Sequence, residues 1–101
     1  MKVFVTAVAA FGLLTAAPVF AGEDLAKEKN CMACHAVDRQ MVGPAYSDIA
    51  EKYKGDDGAM AAVVDQIQNG GSGEWGPVPM PPQPQVDDEQ AKALAEWILG
   101  L

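Results

Sequence analysis

Apolar residues recur at i, i+3, i+4 and i+7 in three stretches: Tyr46, Ile49, Ala50 and Tyr53; Met60, Val63, Val64 and Ile67; and Ala91, Leu94, Ala95 and Ile98. That spacing lines four side chains along one helical face, so it predicts three amphipathic helices. The last opens on Asp87 with Gln90 three residues on, a capping-box pattern, and Asp88 and Glu89 sit where the positive end of the helix favours acid. The helix before it stops at Asn69-Gly70-Gly71, a C-terminal cap signal. A shorter, weakly patterned helix is predicted from about Asp24 to the cysteines. No apolar alternation is long enough for a strand. The expectation is an all-α fold with Met60 as core filler.

Between the third and fourth helices runs GGSGEWGPVPMPPQPQ, where five of the chain's seven prolines cluster around Met80. Proline fixes φ and offers no amide donor, so the segment is neither helix nor central strand but a stiff, extended strap. Pro-rich stretches of this kind often serve as rigid linkers. A linker needs two domains, and this chain has material for one.

The first residues, MKVFVTAVAAFGLLTAAPVFA, place Lys2 before an alanine-rich apolar run that closes on Val19-Phe20-Ala21. This reads as a cleaved secretory signal peptide over residues 1–21, with export to the periplasm. The competing reading is an uncleaved anchor, since the run approaches the ~20 residues that span a bilayer. Pro18 and the small residues before Glu23 suit a peptidase better. Residues 22–101 then form one domain of 80 residues with no stable membrane association. Such a domain buries too little apolar surface to be stable without a staple. It carries fourteen acidic and six basic residues, a formal charge of −8, and lacks a basic stripe for nucleic acid or anionic lipid.

The candidate staple is NCMACHAVD, which holds both cysteines, Cys31 and Cys34, and the sole histidine, His35. Three chemistries fit a C-x-x-C pair. A thioredoxin-type disulfide normally sits on a βαβ scaffold, for which no strands are predicted. A structural zinc site wants four ligands, and two Cys and one His fall short. The third is covalent haem attachment, for which C-x-x-C-H is the signature: Cys31 and Cys34 add to the vinyl groups and His35 binds the iron. Sulfurs one helical turn apart can reach two vinyls on one edge of a porphyrin.

With His35 used, the opposite axial position is open to Met, Lys, the N-terminus, water or nothing. Met32 lies inside the motif, and Met41 is six residues from His35. Met80 differs because Pro79 and Pro81-Pro82 hold it in a backbone with little freedom.

NCMACHAVD, MVGPAY, NGGSGEWGPVPMPP and VDDEQAKALAEWIL together resemble the short bacterial class I cytochromes c of the c-551/c-552 type, in order and over nearly all of residues 22–101. The resemblance implies about four short helices wrapped around one haem c, thioether bonds at Cys31 and Cys34, and axial ligation by His35 and Met80. It further implies that the carbonyl of Pro44 accepts the other ring N–H of His35, that Trp75 bonds a haem propionate, and that Leu94 and Trp97 pack the last helix on the first. Three positions depart from the family: Gln66 replaces an arginine near the propionates, Gln83 an asparagine that bonds the methionine sulfur, and Ala26 an aromatic, with Met32 as the compensating bulk.

The expected function is one-electron transfer by a monomer, with no small-molecule substrate and no catalytic constellation. The family's usual place is in the periplasm between a quinol-oxidising complex and a terminal oxidase or nitrite reductase. Redox proteins would dock transiently on an apolar patch that includes Met32, Met41, Val42, Pro77, Val78 and Pro79. The alternatives are a haem sensor or peroxidase-like protein with an open iron, and a haem-free thiol protein.

Overall fold

The computed structural model describes residues 20–101. Residues 1–19 of the expected signal peptide lie outside the described residues. Four α-helices follow in order, α1 (Phe20–Glu28), α2 (Tyr46–Lys52), α3 (Ala59–Asn69) and α4 (Asp88–Leu99), with a single 3-10 turn at Cys31–Ala33. The fold is the mostly helical one expected. Helix α1 begins before Asp24 and stops short of the cysteines. Asn30 takes a left-handed conformation (φ 64°) there, which an α-helix cannot continue through.

A small hairpin was not anticipated. Strand β1 (Gly71–Gly73) pairs antiparallel with β2 (Gly76–Met80), Gly71 opposite Met80 and Gly73 opposite Gly76. Side-chain alternation could not signal it, because β1 is almost pure backbone: Gly-Ser-Gly has no apolar face to read. Pro77 and Pro79 alternate with the paired positions of β2, where a missing amide does not interrupt the ladder. The strap is therefore extended, as expected, and hydrogen-bonded along its first half.

Helix α4 is the centre of the core. Ala91, Leu94, Ala95, Trp97 and Ile98 are buried, and they cluster with Ala26 of α1, Tyr46 and Ile49 of α2, and Val63 and Ile67 of α3. The capping box forms as expected: Gln90 N–H donates to the Asp87 carboxylate at 2.8 Å, and the Gln90 side chain accepts from Asp87 N–H at 3.1 Å. Helix α1 presents small residues to α4. A Cβ at Gly22 would collide with Trp97, and Ala26 is fully buried. An aromatic at Ala26 would have no room at this crossing. Met32 packs against the same cluster from its edge.

A second expectation fails. Met60 is exposed, and the inward face of α3 is set by Ala59, Val63 and Ile67 instead. The residue before Met60 takes the inner position, leaving the thioether beside Leu99 and Leu101 in a shallow surface hollow.

Candidate cofactor site

A cleft opens between the helical frame and the strap. Its lining includes Cys31, Cys34, His35, Pro44, Trp75 and Met80, and Val42, Pro77, Val78 and Pro79 also border it. Residues 31 and 80 thus reach one space from distant parts of the chain. Met32 and Met41 stand outside it.

The turn that carries the cysteines follows from the left-handed Asn30. Cys34 N–H and His35 N–H both donate to the carbonyl of Cys31, at 3.2 and 3.1 Å. In a 3-10 turn, side chains at i and i+3 eclipse, which brings Cys31 and Cys34 to one side. Both are free thiols, Cys31 half-buried and Cys34 exposed. Burial pushes the Cys31 thiol above its ordinary pKa, while the Tyr46 hydroxyl donating toward its sulfur works in the other direction. Burial and the nearby Cys31 raise Tyr46 strongly as well. The net upward direction at Cys31 is the opposite of the lowering that activates a catalytic thiolate. Among the described residues there is no βαβ unit either.

His35 is buried and held on three sides. Its Nδ1 lies 2.8 Å from the carbonyl oxygen of Pro44. A carbonyl can only accept, so Nδ1 is the donor here, and in the neutral imidazole the lone pair is on Nε2. The Tyr46 ring stacks on the imidazole, centroids 4.8 Å apart and planes 17° from parallel. Gly43 covers another edge: a Cβ there would collide with Cε1 and lie 2.8 Å from Nδ1. The loop that brings Gly43 and Pro44 back is closed by Gly43 N–H donating to the Cys34 carbonyl at 2.8 Å. The periodicity of α2 shows Tyr46 only as a core position, and MVGPAY includes Gly43 without assigning it a role. The Gly-Pro pair just ahead of α2 was the available signal.

The strap forms the other wall. Met80 is half-buried and packs against the core. Gly70, at φ 70°, ends α3 and lets the strap come close, since a Cβ there would collide with the Met80 carbonyl and lie 2.8 Å from Pro82 N. Trp75, 38% exposed, is at the hairpin tip, where the Lys52 ammonium lies 4.6 Å from its ring centroid. The same ammonium pairs with the Glu74 carboxylate at 2.6 Å. That bond holds Glu74 below the usual carboxylate range. Gln66 lies under β1, its Oε1 2.8 Å from where a Cβ of Gly71 would be. Gln83 donates from Nε2 to the Pro81 carbonyl at 2.8 Å.

These residues fit a covalently held haem. Two thiols share one side of a largely apolar cleft, a buried imidazole engages its Nδ1 with Pro44 and leaves Nε2 for a ligand, and a thioether lines the same space. Among the described residues no three His, Cys, Asp or Glu side chains gather as ligands for a bare metal ion. A small helical frame of this kind, closed on a C-x-x-C-H turn, defines a c-type haem protein.

The chain belongs to the cytochrome c family, whose model matches residues 19–101. It is 52% identical over 101 residues to cytochrome c-552 of Hydrogenobacter thermophilus, covering 100% of this chain and 99% of that one. It is 53% identical over 78 residues to cytochrome c-551 of Pseudomonas aeruginosa, covering 77% and 74%. The crystal structure of wild-type Nitrosomonas europaea cytochrome c552 superposes with a TM-score of 0.76 at 53% identity, over 78% of this chain and 98% of that one. The protein is accordingly a monohaem electron carrier and not an enzyme, and its haem c is covalently bound, with Cys31, Cys34 and His35 in the C-x-x-C-H position.

Proposed function

We propose that this protein is a periplasmic one-electron shuttle whose iron is held by His35 and Met80. The observation that carries the ligand pair is that a buried imidazole with a free Nε2 and a strap-borne thioether line one cleft. Bound haem supplies a one-electron Fe(III)/Fe(II) couple. The chain's own contribution is to tune and shield it. Pro44 orients the imidazole and raises its basicity. The soft Met80 sulfur favours the reduced metal and keeps small ligands off the open side. Trp75, at the mouth, is the donor proposed for a propionate.

Export rests on the leader pattern of residues 1–21, leaving residues 22–101 as the mature domain. Among the described residues no helix is long and apolar enough to cross a membrane. Transient docking to a quinol-oxidising complex and to a terminal oxidase or nitrite reductase is proposed for the apolar rim. Val42 and Val78 are 61% and 60% exposed, with Met41, Pro77 and Pro79 also exposed. Met32 is half-buried and contributes only its outer edge. A patch of this kind suits a weak, quickly released encounter. The charge of −8 steers approach from a distance toward a basic partner.

The test is Met80→Ala in the holoprotein. The ferric form should lose its weak sulfur-to-iron band at the red end of the spectrum, and the ferrous form should bind carbon monoxide. Met41→Ala and Met60→Ala should do neither. An unchanged Met80→Ala spectrum would hand the site to the open-iron reading. Mass spectrometry of periplasmic protein, giving residues 22–101 plus one haem, checks export and processing together.

A further inference from the structure

Downstream of Met80 the strap has no regular structure until α4 begins, and prolines at 81, 82 and 84 deprive it of three amide donors. Something else must hold it. Three side-chain hydrogen bonds run in series across this gap. Gln85 Nε2 donates to the carbonyl of Lys29 at 3.0 Å and to Gln83 Oε1 at 2.7 Å, and Gln83 Nε2 donates to the carbonyl of Pro81 at 2.8 Å.

The orientation of both carboxamides is fixed from the ends of this series. The carbonyls of Lys29 and Pro81 can only accept, so each must face an NH₂ group, and Gln83 then turns its oxygen to Gln85. Both hydrogens of Gln85 Nε2 are used. The two ends are structurally meaningful. Pro81 directly follows Met80, while Lys29 directly precedes the left-handed Asn30 that launches the Cys31–Ala33 turn. Gln85 therefore spans 56 residues of sequence to tie the two walls of the cleft together. Other contacts of the strap, such as Gln83 N–H to the Ile67 carbonyl at 3.0 Å and the close approach at Gly70, anchor it to α3. None of these reaches the cysteine side.

We propose that Gln85 is a positioning residue for Met80: by bonding Lys29 and Gln83 together it sets how readily the strap lifts away from the cleft. The proposal rests on Met80 being the axial ligand. Gln83 in this arrangement gives one Nε2 hydrogen to the Pro81 carbonyl and acts on Met80 through the backbone.

The variant that tests it is Gln85→Glu, which keeps length and shape but at neutral pH has no donor for either acceptor. Gln85→Ala, adding no charge, guards against an effect of the carboxylate itself. In the holoprotein, amide exchange at Gln83 and Val86 should accelerate about three- to tenfold in both, the scale of one or two lost hydrogen bonds, with α3 and α4 amides unchanged. Imidazole binding by the ferric protein should quicken by a similar factor. Unchanged exchange in both variants overturns the proposal, as does faster exchange with unaltered imidazole entry. Met80→Ala measured alongside keeps the questions separate: if its spectrum matches wild type, the ligand assignment has failed, while the exchange rates still decide whether Gln85 holds the strap.

Discussion

His35 Nδ1 and the Pro44 carbonyl oxygen, nine residues apart in sequence, stand 2.8 Å apart. The bond selects the tautomer of the imidazole, and it exists only because the loop passes close enough to touch the ring at Gly43. Orientation of the histidine thus belongs to a loop rather than to the turn that carries it.

Gly43→Ala should disturb that loop more than an exposed glycine would. Its Cβ would meet the ring, and either the loop or the imidazole must move, at a cost of about 1–3 kcal/mol. Denaturant unfolding of the holoprotein should show the loss, and hyperfine-shifted histidine resonances should move. A wild-type spectrum and midpoint would mean that the loop yields freely.

Ala26→Phe should destabilise the fold by about 1–3 kcal/mol, because Ala26 is fully buried where α1 crosses α4. The measurement is the shift of the denaturation midpoint at constant slope. A stabilised variant would imply space at this crossing that the small residues only conceal.

The Lys52–Glu74 pair predicts a local pH response. Glu74 has its pKa lowered by Lys52 in the folded state, so the pair's contribution is present above the ordinary carboxylate range and is lost as pH falls through the folded value. Both groups are open to solvent, so the effect should be confined to the hairpin tip and weakened by salt. The Trp75 indole resonance should shift in acid, and Glu74→Gln should show the acid-like position at neutral pH. An indole signal indifferent to both would detach Trp75 from the pair.

Val78→Lys should slow electron transfer to a physiological partner by roughly an order of magnitude with little change in potential, because it puts charge in the middle of the apolar rim. Glu96→Lys on α4 should change only the salt dependence. Reversal of these two outcomes would move the docking surface away from the cleft mouth.

The sequence alone determined the chemistry and much of the frame. C-x-x-C-H is a local code whose spacing acts within a single turn, and the faces of α2 and α4, like the Asp87–Gln90 cap, depend on residues three or four apart. Such features survive without knowledge of the rest of the chain. Tertiary structure decided what short-range patterns cannot encode. The hairpin arises from backbone pairing between glycines and a Pro-rich strand, which leaves no side-chain period to read. Met60 faces solvent because helix packing, not helix periodicity, chooses which of two adjacent residues points inward. The contact of Gly43 with His35, the passage of the strap over Gly70, and the bond from Gln85 to Lys29 all join segments by close backbone approach. No spacing along the chain announces such contacts, because they exist only once the helices have packed and brought distant peptide groups within reach.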